Sequence, residues 1–171
     1  MRTIAFAGAL ALAACKSDPA PAPAPDAAPI SPDAQCMGTF AGLTQGRLAA
    51  LVNSSGKCGP PGDVAIICAG NTATIATQCW ERCAQPPAMF RSCATGCIRT
   101  MFLLGEGCAG CYADVLACIE ASCRGPCMPN LAAPGCLQCQ IEKGCRAGFS
   151  TCSGLPGVSG ADAGARDALA D

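Results

Sequence analysis

The chain has 171 residues, enough for one domain with appended segments, and 17 of them are cysteine while none is histidine. The absence of histidine excludes Ser-His-Asp and Cys-His catalysis, histidine general bases and histidine metal ligands, so we expect a protein that is not an enzyme. Eleven basic and 12 acidic side chains nearly balance, and we therefore expect no nucleic-acid partner.

The N-terminus carries an export signal. Arg2 precedes a run of small apolar side chains over residues 4–12, which is about half the length needed to span a bilayer. The run ends in Leu12-Ala13-Ala14-Cys15, which closely resembles the lipobox of bacterial lipoproteins. That resemblance implies removal of residues 1–14 and a lipid, such as a palmitate-containing diacylglycerol, on Cys15. The alternative is an ordinary secretory signal in which Cys15 only follows small residues.

Lys16 bears on localisation. By resemblance to proteobacterial lipoproteins, lysine rather than aspartate after the modified cysteine favours the outer membrane, on its periplasmic face or at the cell surface. The predicted partner is thus the membrane itself, through the lipid anchor, and an unidentified protein is a second possible partner.

Composition divides the rest of the chain into three segments. Residues 15–35 are rich in proline and alanine, which alternate over residues 19–25, and favour extended polyproline II, which is typical of a stalk. A proline-rich ligand for another domain is the alternative. Residues 36–152 contain the 16 remaining cysteines and form the predicted domain. Residues 153–171 are small, polar and free of cysteine, so we expect a disordered tail.

The apolar spacing of the cysteine-rich segment predicts an all-α fold. We expect about five short helices in disulfide-stapled hairpins, because no stretch alternates as a strand would. Asp63 is placed to cap the N-terminus of a helix that begins at Val64. Gly70 and Asn71 separate that helix from the next one, over residues 72–85.

Two cysteine pairs lie one helical turn apart. Cys79 and Cys83 precede the helix-breaking residues 85–87, and Cys93 and Cys97 follow them. The pattern resembles the scaffold of the α-hairpinins and of small mitochondrial CHCH proteins, in which paired C-x3-C helices are antiparallel. The resemblance implies the disulfides Cys79–Cys97 and Cys83–Cys93. The residue numbers of both pairs have the same sum, as an antiparallel hairpin requires.

The C-terminal cysteines suggest a second hairpin with a less certain register. Nested antiparallel pairing predicts four bonds: Cys108–Cys152, Cys111–Cys145, Cys118–Cys139 and Cys123–Cys136. Four cysteines stay without an assigned partner and are expected to attach the N-terminal segment: Cys36, Cys58, Cys68 and Cys127. By its cysteine spacing, the stretch from residue 103 to residue 155 resembles cysteine-rich helical repeats in predicted lipoproteins of myxobacteria and their relatives, which have no assigned activity.

The preferred functional prediction is a non-catalytic structural or partner-binding module with no catalytic residue, metal or cofactor other than the lipid. Thiolate binding or sequestration of Cu(I) or Zn(II) is the first alternative, because thiols one and two turns apart resemble those of bacterial copper-storage bundles. A protease inhibitor or toxin-like module follows only from the hairpin resemblance. The C-x2-C pairs at 108/111 and 136/139 also allow a thiol–disulfide oxidoreductase.

Overall fold

The computed structural model describes residues 31–156 except residues 71, 84–86 and 129. The predicted signal segment 1–14, the lipidation site Cys15 and most of the predicted stalk and tail lie outside the described residues. Within the described part the fold is all-α, as predicted, and its only β-type pairing is an isolated antiparallel bridge between Gln35 and Thr44.

Eight α-helices follow one another in the described part of the chain. In order they are α1 (Gln45–Leu51), α2 (Pro61–Cys68), α3 (Thr72–Cys83), α4 (Phe90–Phe102), α5 (Glu106–Ser122), α6 (Arg124–Cys127), α7 (Pro134–Glu142) and α8 (Cys145–Ser153). Two 3₁₀ turns, Gly38–Phe40 and Pro87–Met89, precede α1 and α4.

The helices are more numerous than the five expected because long apolar stretches are interrupted. Gly144 has a left-handed backbone (φ 72°) and separates α7 from α8, although the spacing of Ile141, Cys145, Phe149 and Cys152 favours a single helix there. Gly70, with φ 87°, ends α2 where a break was expected. Residues 37–52, whose apolar spacing favours a single helix, form a 3₁₀ turn followed by α1. The Thr44 hydroxyl caps the N-terminus of α1 by accepting from Arg47 N–H at 3.2 Å.

Helix α5 is the centre of the molecule and packs against α3, α4, α6 and α8. Small side chains allow this close approach: Ala94 on α4 and Ala109 and Ala113 on α5 are fully buried. The Tyr112 ring packs edge-on against Phe149 with centroids 4.8 Å apart. The core is therefore built from small residues, cystines and a few aromatic rings.

The folded region is wider than the predicted 36–152. Before Cys36, the Pro32 carbonyl accepts from Gly46 N–H at 2.9 Å, so the last residues of the predicted stalk belong to the fold. After Cys152, Ser153 and Leu155 are buried, and the Ser153 carbonyl accepts from Cys58 N–H at 3.1 Å. Composition misses both edges because the contacts that attach them, backbone hydrogen bonds and the single buried apolar side chain of Leu155, leave no compositional pattern.

Candidate functional site

The α3–α4 hairpin has the predicted disulfides. Cys79 bonds to Cys97 and Cys83 bonds to Cys93, each with a Cα–Cα distance of 5.7 Å. Cys79 and Cys83 are buried, whereas Cys93 is exposed. Equal spacing on two antiparallel helices brings both pairs into register, as the spacing indicated.

The C-terminal hairpin has a different register from the predicted one. Four bonds join α7 and α8 to the segment of α5 and α6: Cys111–Cys152, Cys118–Cys145, Cys123–Cys139 and Cys127–Cys136. The four predicted pairings Cys108–Cys152, Cys111–Cys145, Cys118–Cys139 and Cys123–Cys136 are therefore wrong. Each cysteine on the C-terminal side pairs with the next cysteine along from the one predicted.

A single long-range bond explains the shift. Cys108 pairs with Cys58, 50 residues away, and so is not available to Cys152. The residue-number sums of the four observed hairpin pairs differ by no more than one, whereas those of the predicted pairs differ by four. Requiring equal sums, as for the first hairpin, would have identified the correct register and the odd cysteine.

The unassigned cysteines divide between two roles. Cys36 bonds to Cys68, and Cys58 bonds to Cys108, so these bonds attach the N-terminal segment as expected. Cys127 does not, because it closes the inner end of the second hairpin with Cys136. The expectation that Cys127 attaches the N-terminal segment is wrong.

The C-x2-C pairs are not arranged as dithiol redox motifs. In such a motif the two cysteines bond to each other, but Cys108 and Cys111 bond to partners on different parts of the chain, as do Cys136 and Cys139. Among the described residues there is also no group of three or more histidine, cysteine, aspartate or glutamate side chains positioned to hold a metal ion. The thioether of Met101 contacts a sulfur pair, at 3.6 Å from Cys97 Sγ, but that sulfur is already bonded.

Asp63 occupies a role that the sequence did not predict. Helix α2 begins at Pro61, so Asp63 lies within its first turn and is not its N-cap. The Asp63 side chain instead accepts from Gly105 N–H at 2.7 Å, at the N-terminus of α5. The residue is only 5 % exposed, and its Oδ2 is buried without a hydrogen-bond partner among the described residues. Burial raises the pKa of the Asp63 carboxyl, and the Gly105 N–H opposes that rise.

Tyr112 forms a buried polar contact nearby. Burial raises the pKa of the Tyr112 phenol, the hydrogen bond with the Thr72 side chain lowers it, and the charge of Asp63 raises it further. The phenol is therefore neutral at physiological pH. It acts here as a hydrogen-bonding group that links α3 to α5, not as a proton donor or acceptor for chemistry.

A second polar contact joins the two hairpins. The Trp80 indole N–H on α3 donates to Glu120 Oε2 on α5 at 2.7 Å, and Arg124 lies 3.0 Å from Glu120 Oε1. The Glu120 side chain is 12 % exposed, so this carboxylate is mostly shielded from water. By contrast, the ion pair between Arg91 and Asp114 joins α4 to α5 at an exposed surface.

A mainly apolar cavity of about 180 Å³, partly open to solvent, lies between the two hairpins and the N-terminal turn. Phe40, Leu116 and Phe149 form much of its wall, and Tyr112 faces it with Arg146. The sequence gives no sign of this cavity, because its walls come from segments that are distant in the chain.

Comparison with known proteins finds no matching family model, no matching curated protein and no matching solved structure. Within the described part of the chain, no helix combines the length and apolarity required to cross a membrane.

Proposed function

We propose that the protein is a lipid-anchored, non-catalytic module of the bacterial cell envelope, held at the outer membrane through Cys15. In this proposal the proline- and alanine-rich segment before the fold is the stalk, and the disulfide-rich domain is the part that meets a partner or withstands the external medium. Two or more acyl chains on one cysteine supply stable anchoring, which a single chain does not.

One observation carries the proposal. All 16 cysteines of the described residues are paired with one another, and the chain has 17 in total, so Cys15 is the one cysteine outside the framework. That cysteine is the one in the Leu-Ala-Ala-Cys motif. Disulfides form and persist in oxidising compartments, so eight of them agree with export.

The ionisable groups support a non-catalytic role. The carboxylates with the closest contacts serve the structure: Asp63 binds the N-terminus of α5, and Glu120 accepts from Trp80. A cysteine must be a thiolate to act as a nucleophile or to bind a soft metal ion, and the disulfide-bonded cysteines have no thiolate. The eight bonds instead stabilise a small core, at about 2–4 kcal/mol for a typical disulfide.

Intact-mass measurement of the protein extracted from membranes tests the anchor and the framework together. We expect a chain that starts at Cys15, carries the acyl groups, and is lighter by sixteen hydrogens than its reduced form, two for each disulfide. Without reductant, alkylation adds nothing; after reduction it adds sixteen adducts. Cys15→Ser abolishes the acyl mass, whereas Ser17→Ala, the matched control, keeps it.

Two outcomes contradict the proposal separately. An unacylated mature chain, or a Cys15→Ser chain that still carries the acyl groups, eliminates the lipid anchor at Cys15. About sixteen free thiols in protein purified without reductant eliminate the disulfide module and favour the Cu(I) or Zn(II) alternative.

A further inference from the structure

The reduced sulfur of the folded domain belongs to methionine. All sixteen cysteines of the described residues are in disulfides, so none of them supplies a thiolate, the form of cysteine that oxidants attack first. The same part of the chain has four methionines: Met37, Met89, Met101 and Met128. Their thioethers, which are oxidised to sulfoxides, are therefore the reduced sulfur that a mild oxidant meets.

Three of the four methionines are exposed at the ends of helical elements. Met37 and Met89 precede the Gly38–Phe40 turn and α4, and Met128 follows α6. The exposed fractions of these three residues are 60, 61 and 61 %. A sulfoxide is polar, so its formation is disruptive in a core, but an exposed side chain leaves no core contact behind. The fold therefore tolerates oxidation at these three positions.

Met101 has the opposite environment. It is half-buried on α4 and packs against the core. Its Sδ lies 3.6 Å from Cys97 Sγ and 3.8 Å from Cys79 Sγ, and the Arg82 guanidinium donates to it at 3.6 Å. Oxidation requires a lone pair of the sulfur to reach the oxidant. The neighbouring disulfide shields this sulfur and the Arg82 N–H engages a lone pair, so Met101 is protected from oxidants.

We propose that Met37, Met89 and Met128 form an oxidant-consuming surface whose substrate is a peroxide such as hydrogen peroxide. At each sulfur a lone pair attacks one peroxide oxygen, so an S–O bond forms while the O–O bond breaks. The proton of the transferred oxygen moves to the leaving oxygen, which departs as water. The thioether is thus oxidised by two electrons to a sulfoxide, and hydrogen peroxide is reduced to water.

Each chain takes up one oxygen atom at each of the three exposed sulfurs while its fold stays intact. Methionine sulfoxide is reducible back to methionine by enzymes, so the modification is reversible. Exposed sulfoxides are accessible to such an enzyme without unfolding of the chain. The proposal goes beyond the envelope module and does not depend on the lipid at Cys15.

Hydrogen peroxide is the probe, added in excess to the full, disulfide-bonded mature chain at neutral pH. Intact mass follows the number of oxygen atoms added, and peptide mapping of quenched samples assigns each one to a residue. We expect additions at Met37, Met89 and Met128 that are about tenfold faster than the addition at Met101. In strong denaturant all four are expected to react at similar rates, because the fold no longer shields Met101.

Leucine variants separate the exposed sulfurs from the shielded one, because leucine has a similar volume to methionine and no sulfur. The triple variant Met37→Leu, Met89→Leu and Met128→Leu is expected to lose the three fast additions and keep the slow one. Met101→Leu is the matched control and is expected to keep the three fast additions. Helical circular dichroism of the triply oxidised, unmodified sequence is expected to match that of the untreated protein.

The proposal is overturned if Met101 in the folded protein reacts as fast as the other three methionines, or if any of those three stays unreacted until denaturant is added. It is also overturned if uptake of three oxygen atoms lowers the helical circular dichroism. If the triple variant does not fold, the three single variants replace it, and each is expected to lose one fast addition. A negative result here leaves the intact-mass test of the anchor unaffected.

Discussion

The α3–α4 hairpin and the hairpin of α5 with α7 and α8 use the same elements, antiparallel helices joined by nested disulfides, but different information sets their registers. In the first, a short connection and two cysteines on each helix leave one arrangement, with bonds that span 10 and 18 residues. In the second hairpin, five cysteines between residues 108 and 127 face four between residues 136 and 152, so two registers are possible. Cys58 lies outside this hairpin and bonds to Cys108, which leaves four cysteines on each side and one register.

The comparison teaches that local spacing predicts a pairing only where the number of candidate cysteines matches on both helices. Where it does not match, a bond distant in the sequence decides. The two kinds of bond also differ in their energetic effect, since a disulfide restricts the unfolded chain more when it closes a longer loop.

Removing the long-range bond has the largest expected effect. For the double variant Cys58→Ala with Cys108→Ala, which opens a loop of 50 residues, we expect a loss of roughly 4 kcal/mol in the free energy of unfolding. The matched control, Cys83→Ala with Cys93→Ala, opens a loop of 10 residues and is expected to cost roughly 3 kcal/mol. Denaturant unfolding without reductant measures both. An equal or reversed order would contradict the loop argument.

Loss of the hydrogen bond between Trp80 and Glu120, which joins the two hairpins, has the next largest expected effect on the free energy of unfolding. Glu120→Ala leaves the Trp80 indole N–H without its acceptor, and Trp80 is only 4 % exposed. A buried donor left unsatisfied costs about 1–3 kcal/mol, so we expect a loss of about 2 kcal/mol. Asp114→Ala, on the same helix, removes an exposed ion pair with Arg91 and is expected to cost less than about 1 kcal/mol.

Trp80 fluorescence during urea unfolding measures both variants, since the chain has one tryptophan. Similar losses for Glu120→Ala and Asp114→Ala would show that the hairpins are not coupled through the indole.

The smallest expected effect depends on pH. Because burial raises the pKa of Asp63 above its ordinary 3.8, the folded state binds a proton that the unfolded state has already released. The contribution of Asp63 to stability is therefore fully present below pH 3.8 and is lost as the pH rises through the raised pKa. Asp63→Asn is expected to remove this fall, because the introduced amide does not titrate and its oxygen still accepts from Gly105 N–H.

The measurement is the free energy of unfolding of both proteins from about pH 3.5 to 8, a range that begins below the ordinary pKa of an aspartate. Asp33→Asn, at an exposed position, is the control and is expected to keep the slope of the unmodified protein. If Asp63→Asn also keeps it, the desolvation of Asp63 has no energetic consequence. This test addresses the attachment of α2 to α5, through which the N-terminal segment meets the second hairpin.

The sequence determined the features that depend on neighbours one or two turns apart. The apolar spacing predicted the helices, and the C-x3-C pairs predicted Cys79–Cys97 and Cys83–Cys93, because residues three and four apart share a face of a helix. The Leu-Ala-Ala-Cys run that ends at Cys15 and resembles a lipobox is also a local pattern, and the lipid anchor stays a prediction.

Only the tertiary structure decided what depends on segments that are distant in the chain. Cys58 bonds to Cys108 and so shifts the register of all four disulfides of the C-terminal hairpin. Asp63 binds the N-terminus of α5 rather than that of its own helix. The cavity beside Tyr112 has walls from several separate parts of the chain. The residue spacing within one helix does not predict these contacts, because each contact joins segments that meet through the packing of the helices around α5.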